Sequence, residues 1–208
     1  MLDFSIPSLI ARLIVLFIGF PIHELAHALT ADYFGDDTPR LFGRLTLNPL
    51  AHLDLLGSML VLLTGFGWAK PVQINPYLIR RRSASGVMWV SLAGPFSNFL
   101  MAMLSAVPLR FHWVTNASSS ILYQILYGIV TINLLLMLFN LIPIAPLDGE
   151  KVADFLMPAA WVRTWESIRP YGPVLLLILL FAAPMVGLNI IGWLINPPLQ
   201  FLSSLLIG

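Results

Sequence analysis

The chain has 208 residues, 58% of them hydrophobic and only 10% charged, with a mean hydropathy of +0.87. A soluble domain carries roughly 25% charged residues, so the composition excludes a soluble globular protein and indicates an integral membrane one. The net charge of +1 comes without a basic tail, which argues against a nucleic-acid partner, and the absence of cysteine removes disulfides, iron–sulfur clusters and Cys-ligated zinc.

In chain order, the first apolar run extends over about residues 6–34 and can span a bilayer core of about 30 Å. Ala26-His27-Ala28 mimics a signal-peptide cleavage site. No basic region precedes the run, however, and it is longer than a signal peptide's apolar core, so it is expected to be a retained membrane helix. Residues 40–49 alternate polar and apolar side chains and are expected to form a strand; residues 68–76 are a second extended, Pro-bounded piece. Between them, residues 53–66 are apolar, short and punctuated by glycine, which suits a re-entrant segment better than a spanning one. Arg80-Arg81-Arg82 reads as a solvated cluster that signals topology.

Residues 87–109 and 121–144 are expected to span. The second of these ends in Asn140-Leu-Ile-Pro143-Ile-Ala-Pro146-Leu147-Asp148-Gly149, whose prolines and glycine should unwind the helix end. A mixed stretch follows, with Trp161 and Trp165 as interface anchors. The apolar C-terminal region, about 171–207, is expected to break near Gly187 and Asn189 and again at Asn196-Pro197-Pro198. The expected fold is an all-α polytopic membrane protein: five or six membrane helices in a single domain over 1–208, with a small membrane-associated β element and a re-entrant segment.

Orientation follows from charge. Lysine and arginine concentrate in residues 40–82 and 151–169, whereas the 110–120 connection holds only Arg110. The positive-inside rule puts both basic regions in the cytoplasm. The spans at 87–109 and 121–144 must then cross and the segment at 53–66 must not. The ends of the 6–34 and 121–144 helices therefore meet at one depth on the cytoplasmic side.

His23-Glu24-Leu-Ala-His27 is the chemical centre of the sequence. On a helix, four residues turn the chain by about 400° and advance it about 6 Å. Both histidines thus point one way as a metal clamp, with Glu24 beside the first of them to handle a proton. This is the H-E-x-x-H pattern of zinc proteases. A catalytic zinc takes three protein ligands and leaves one position open. Asp148 lies at the right depth and side to be the third and is favoured; His52 is also possible, and His112, in the outer loop, is not. A carboxylate at membrane depth is in itself a functional-site hypothesis.

Together these motifs resemble the site-2 protease family of intramembrane zinc metalloproteases (peptidase family M50). The resemblance runs through His23-Glu24-x-x-His27, Asn48-Pro49-x-x-His52-x-Asp54, Gly67-Trp-Ala-Lys70-Pro71-Val72, Gly94-Pro95-x-x-Asn98 and Asn140-x-x-Pro143 to Asp148-Gly149. It implies one Zn2+ per chain held by His23, His27 and Asp148, with Glu24 as general acid and base. It also implies a core of three helices with a membrane-dipping sheet. The chain lacks the PDZ and CBS insertions of larger members.

The expected function is zinc-dependent hydrolysis of peptide bonds in or near transmembrane segments of membrane proteins. The expected setting is a multi-pass protein of the plasma membrane, in contact with the bilayer, its active site towards the cytoplasm. Asn140 and His52 are the candidate donors to the substrate oxyanion, and the extended pieces near 40–49 and 70–76 could pair with an unwound substrate. Asp54 is read as a cap or as a partner behind a ligand, and Asn98 with Gly94 and Pro95 as helix packing. A metal transporter using the same ligands is the competing reading, and Glu24 discriminates, because transport gains nothing from a carboxylate placed to activate water. An inactive homologue is disfavoured because every chemical residue is present.

Overall fold

The computed structural model describes residues 5–64, 67–115 and 120–208. The described residues are 75% helical, and among them five helices are long and apolar enough to cross a membrane. The first, α1 (Ile6–Tyr33), starts where the Ser5 side chain caps the amide of Ser8 and Pro7 occupies the first turn. It widens into a π turn at Val15–Gly19. Pro21 follows directly; having no N–H, it could not have continued the regular ladder there.

The expectation of a strand at 40–49 is not met. Thr38–Leu41 (α2) and Pro49–His52 (α3) are short helical turns, joined through Gly43 at φ +65°. Local capping overrides the alternation: the Asn48 side chain accepts from the Leu50 amide and starts α3. The buried Arg44 guanidinium donates to the carbonyls of Ala51, Lys70 and Pro71, taking acceptors that a ladder would need. No strand occurs among the described residues; there is a single isolated antiparallel bridge, Leu53 to Ala69, continued by the Lys70 amide donating to the His52 carbonyl.

Asp54 caps α4 (Leu55–Thr64) through the Gly57 amide at 2.8 Å. Ten residues of helix rise about 15 Å, half the apolar core of a bilayer. The buried Arg12 of α1 donates to the Leu62 carbonyl near the end of α4. Asn75 then caps α5 (Pro76–Arg82), which leads into α6 (Gly86–Arg110). The next span, α7 (Ile121–Asn140), ends four residues before the expected 144 because the chain turns sharply through 141–147, with a cis Ala145–Pro146 bond, into α8 (Asp148–Leu156).

The C-terminal pair is α9 (Val162–Met185) and α10 (Ile190–Ile207). The break expected at Gly187 and Asn189 is present: Gly187 adopts φ +83° and Asn189 caps the Gly192 amide. The interruption expected at Asn196-Pro197-Pro198 is not, for α10 runs straight through both prolines. Tertiary packing outweighs the lost backbone bonds: Ile195 is buried against Phe139, Ile142 and Leu147, and Leu199, Leu202 and Leu206 pack on α6 and α7.

Burial ranks the helices. Half of α1's apolar window is inside the protein, 44% of α6's and 33% of α7's, against 11% for α9 and 6% for α10. Thus α1, α6 and α7 form the central bundle. Ala11, Val15 and Leu16 of α1 meet Ile129 and Leu136 of α7, and Ala102 and Ala106 of α6 meet Val130 and Leu134.

Candidate metal centre

His23 and His27 lie on adjacent turns of α1, both buried. Their Nε2 atoms stand 3.1 Å apart, and Asp148 Oδ2 lies 3.4 Å from the first and 3.2 Å from the second. Among the described residues these three form a group whose ligand atoms could hold a metal ion. Ligands held tetrahedrally at 2.0–2.1 Å from one zinc ion stand about 3.3 Å from one another. The observed triangle already has those dimensions.

Each ring is oriented from behind. His27 Nδ1 donates to the Val90 carbonyl at 2.6 Å, and His23 Nδ1 meets Asn98 Oδ1 at 2.7 Å. A carbonyl oxygen can only accept, so Nδ1 bears a proton, and in the neutral ring that a metal requires this leaves the Nε2 lone pair facing Asp148. Two imidazole lone pairs and a carboxylate oxygen thus converge with no donor between them, which is the chemistry of a cation site. Val90, Gly94 and Asn98 recur every four residues and form one stripe of α6. At Gly94 the close approach is what matters: a Cβ there would overlap His27 Nε2 and stand 2.6 Å from His23 Nε2.

Asp148 arrives by a different route. Leu147 and Ile142 are buried against Phe139 and Ile195, which pegs the 141–147 turn in place. Gly149 lets the first turn of α8 lie on the Leu141 and Ile142 carbonyls, where a Cβ would collide. At a helix N-terminus the Asp148 and Glu150 carboxylates face the positive end of the dipole. Behind Asp148, buried Glu150 pairs with Arg169 of α9 at 2.6 Å.

Glu24 is buried beside the triad and its Oε2 accepts from the Val72 amide at 3.0 Å. That amide belongs to the segment leading from α4 to α5, which is tied down at the other end by Asp36, whose Oδ2 accepts from the Asn75 amide. His52 is fully buried, with Nε2 bonded to the Thr46 carbonyl. Asn140, half-buried, donates to the Leu136 carbonyl of its own helix. Among the described residues no hydrogen bond joins either of them to the triad.

Curated relatives of the chain are named as zinc metalloproteases. The chain is 39% identical over 180 residues, 83% of its length, to the Bacillus subtilis protein named "Putative zinc metalloprotease YwhC", and covers 80% of that protein. The chain belongs to the site-2 protease family of zinc metalloproteases. Rip2 of Mycobacterium tuberculosis and MJ0611 of Methanocaldococcus jannaschii carry the same designation. Rip2 is 28% identical over 84% of the chain and 69% of its own length; MJ0611 is 32% identical over 76% of each. No family model and no solved structure matches the chain.

Zinc therefore fits the residues present: a family of zinc metalloproteases, two neutral imidazoles and one carboxylate, with each imidazole oriented by an acceptor behind it. Gly94 is the close-packing residue that sequence reasoning expected, but Asn98 as the partner of His23, the Val90 carbonyl and the Val72 amide were missed. The four-residue spacing of Gly94 and Asn98 was a signal for Asn98, since it puts both on one helix stripe.

Proposed function

We propose that the protein is a site-2-type intramembrane endopeptidase, holding one zinc ion per chain and cleaving peptide bonds in or near transmembrane segments of other membrane proteins. One observation carries this reading: every residue of the metal centre belongs to the membrane bundle or to the turn that closes it. His23, Glu24 and His27 lie on the first spanning helix, and Asp148 opens α8, just past the 141–147 turn that ends the third. A hydrolytic centre so placed meets substrates that reside in the bilayer.

When bound by His23, His27 and Asp148, zinc supplies Lewis acidity that acidifies water and polarises a carbonyl. Glu24 accepts the proton of the attacking water and later returns it to the leaving amine. The Val72 amide fixes the carboxylate for both transfers. Asn140, half-buried, is the better candidate for contact with the substrate oxyanion, because His52 is fully buried and engaged with Thr46. The short α4 is read as re-entrant, and its Arg12 tether to α1 supports that. The extended segment 70–75 is where an unwound substrate would pair, through the backbone groups not already bonded to Glu24, Asp36, Arg44 and His52. By charge, the centre opens towards the cytoplasmic face of the plasma membrane.

The test is incubation of the purified protein in nanodiscs with a panel of single-span peptides, with and without chelator. Expected is cleavage that needs both zinc and Glu24. If the wild type carries zinc yet cuts none of them, and instead moves zinc across a sealed vesicle independently of Glu24, the transporter reading replaces this one.

A further inference from the structure

The arginine run at 80–82 lies outside the metal centre and takes no part in the chemistry above. Of its three cations, Arg80 has a carboxylate, Asp154 at 3.5 Å. Arg81 and Arg82 have none within 4.0 Å among the described residues. Of the acids nearby, Asp32 pairs with Arg40 at 2.8 Å, and each oxygen of buried Asp36 accepts from a backbone amide, of Thr38 or Asn75. Arg82 instead stacks over the Tyr33 ring, 5.7 Å from its centroid.

Together with Phe34, Gly35 and Leu78, the two arginines line an open cleft of about 310 Å³ in which no acidic side chain takes part. Its place in the fold is specific. Tyr33 is the last residue of α1, and α6 begins at Gly86, so the cleft sits where two spanning helices leave the apolar core. Exposed rings surround that level: Tyr33 and Tyr77 are each 70% exposed and Trp89 is 52% exposed. Tyrosine and tryptophan favour the headgroup layer, where one side of the ring is apolar and the other wet.

We propose that this cleft binds the headgroup of an anionic phospholipid. The Arg81 and Arg82 guanidiniums take the phosphodiester through paired N–H donors, a geometry arginine matches and lysine does not. Phe34, Leu78 and the exposed rings lie along the glycerol and upper acyl region. A net-negative headgroup is preferred over a zwitterionic one because the lining offers no carboxylate to a choline ammonium. A bilayer lipid is preferred over a soluble anion because Phe34 and Leu78 share the lining and the cleft adjoins the ends of two spanning helices.

The full chain is reconstituted in phosphatidylcholine nanodiscs doped with labelled phosphatidylglycerol, and retained lipid is counted by native mass spectrometry. Wild type is expected to retain phosphatidylglycerol selectively. R81Q/R82Q should lose about 30-fold of that preference, the combined share of two interfacial arginines. R81Q alone, which keeps the Arg82–Tyr33 stack and guards against misfolding, should lose about fivefold. R110Q, at the other end of α6, should lose nothing. Equal retention by wild type and the double variant overturns the proposal, as does a wild type with no preference over phosphatidylcholine. Competition by millimolar inorganic phosphate as effective as that of phosphatidylglycerol would make the cleft a soluble-anion site and remove the lipid. The readout is binding, so none of these outcomes depends on proteolysis.

Discussion

Gly94→Ala is the sharpest probe of the metal centre, because it removes no ligand. The added methyl would overlap His27 Nε2 and stand 2.5 Å from His27 Cε1 and 2.6 Å from His23 Nε2, nearer than carbon atoms settle. Relief requires α6 to retreat or a ring to rotate. Rotation would break the Nδ1 bond to Val90 or Asn98, and retreat is opposed by packing of α6 on α1 and α7. Overpacking of this kind costs about 1–3 kcal/mol. Borne wholly by the metal-bound state, that is about a 5- to 150-fold loss of zinc affinity. The assay is competition against a chelator of known affinity, read as zinc content per chain. Gly128→Ala is the matched control: its Cβ would press on the Ala11 Cβ at 2.8 Å, far from any ligand. It should lower thermal stability and spare zinc. If Gly94→Ala holds zinc within twofold of wild type while Gly128→Ala behaves as described, the histidine triangle is not where the metal sits.

Glu24→Gln should retain zinc at wild-type stoichiometry while peptide cleavage falls about 10²- to 10⁴-fold, the usual share of a general acid and base. Asn98→Ala withdraws the acceptor behind His23 and should weaken zinc binding about 10- to 100-fold, with Asn98→Asp restoring most of it in the same titration. Asp148→Ala should lose zinc outright on mild chelation, and a fully loaded variant would contradict the ligand assignment. Arg169→Ala leaves the buried Glu150 carboxylate without its partner and should cost about 1–3 kcal/mol of stability; adding Glu150→Gln should recover part of it in thermal unfolding.

The sequence was most legible where chemistry and periodicity coincide. Two histidines four apart on an apolar helix can only face one way. Asp148 was reached by a depth argument that needed no contact information, and the structure puts its oxygen within 3.4 Å of both imidazoles. Asn98 was legible as a polar residue in a spanning helix but not as the partner of His23, because one sequence does not say which stripe of α6 faces α1. The strand expected at 40–49 failed for a local reason. Alternation over ten residues is a weak force beside an asparagine cap, a proline at a helix start and an arginine that collects three carbonyls. Pro197-Pro198 misled in the opposite sense, since the breaker is real in an isolated peptide and is overruled by the seats Ile195 and Leu199 find on α7.

The bond from the Val72 amide to Glu24 has a consequence for how this enzyme can be inherited and dissected. The atom that steadies the Glu24 carboxylate, the proposed proton carrier, belongs to the main chain, which every residue but proline supplies. Position 72 can therefore drift through almost any side chain without disturbing Glu24, and an alanine scan would pass over it in silence. Val72→Pro alone deletes the donor. What must persist at this position is the path of the backbone, held by the Asp36 bond to Asn75 on one side and the Lys70 bond to His52 on the other.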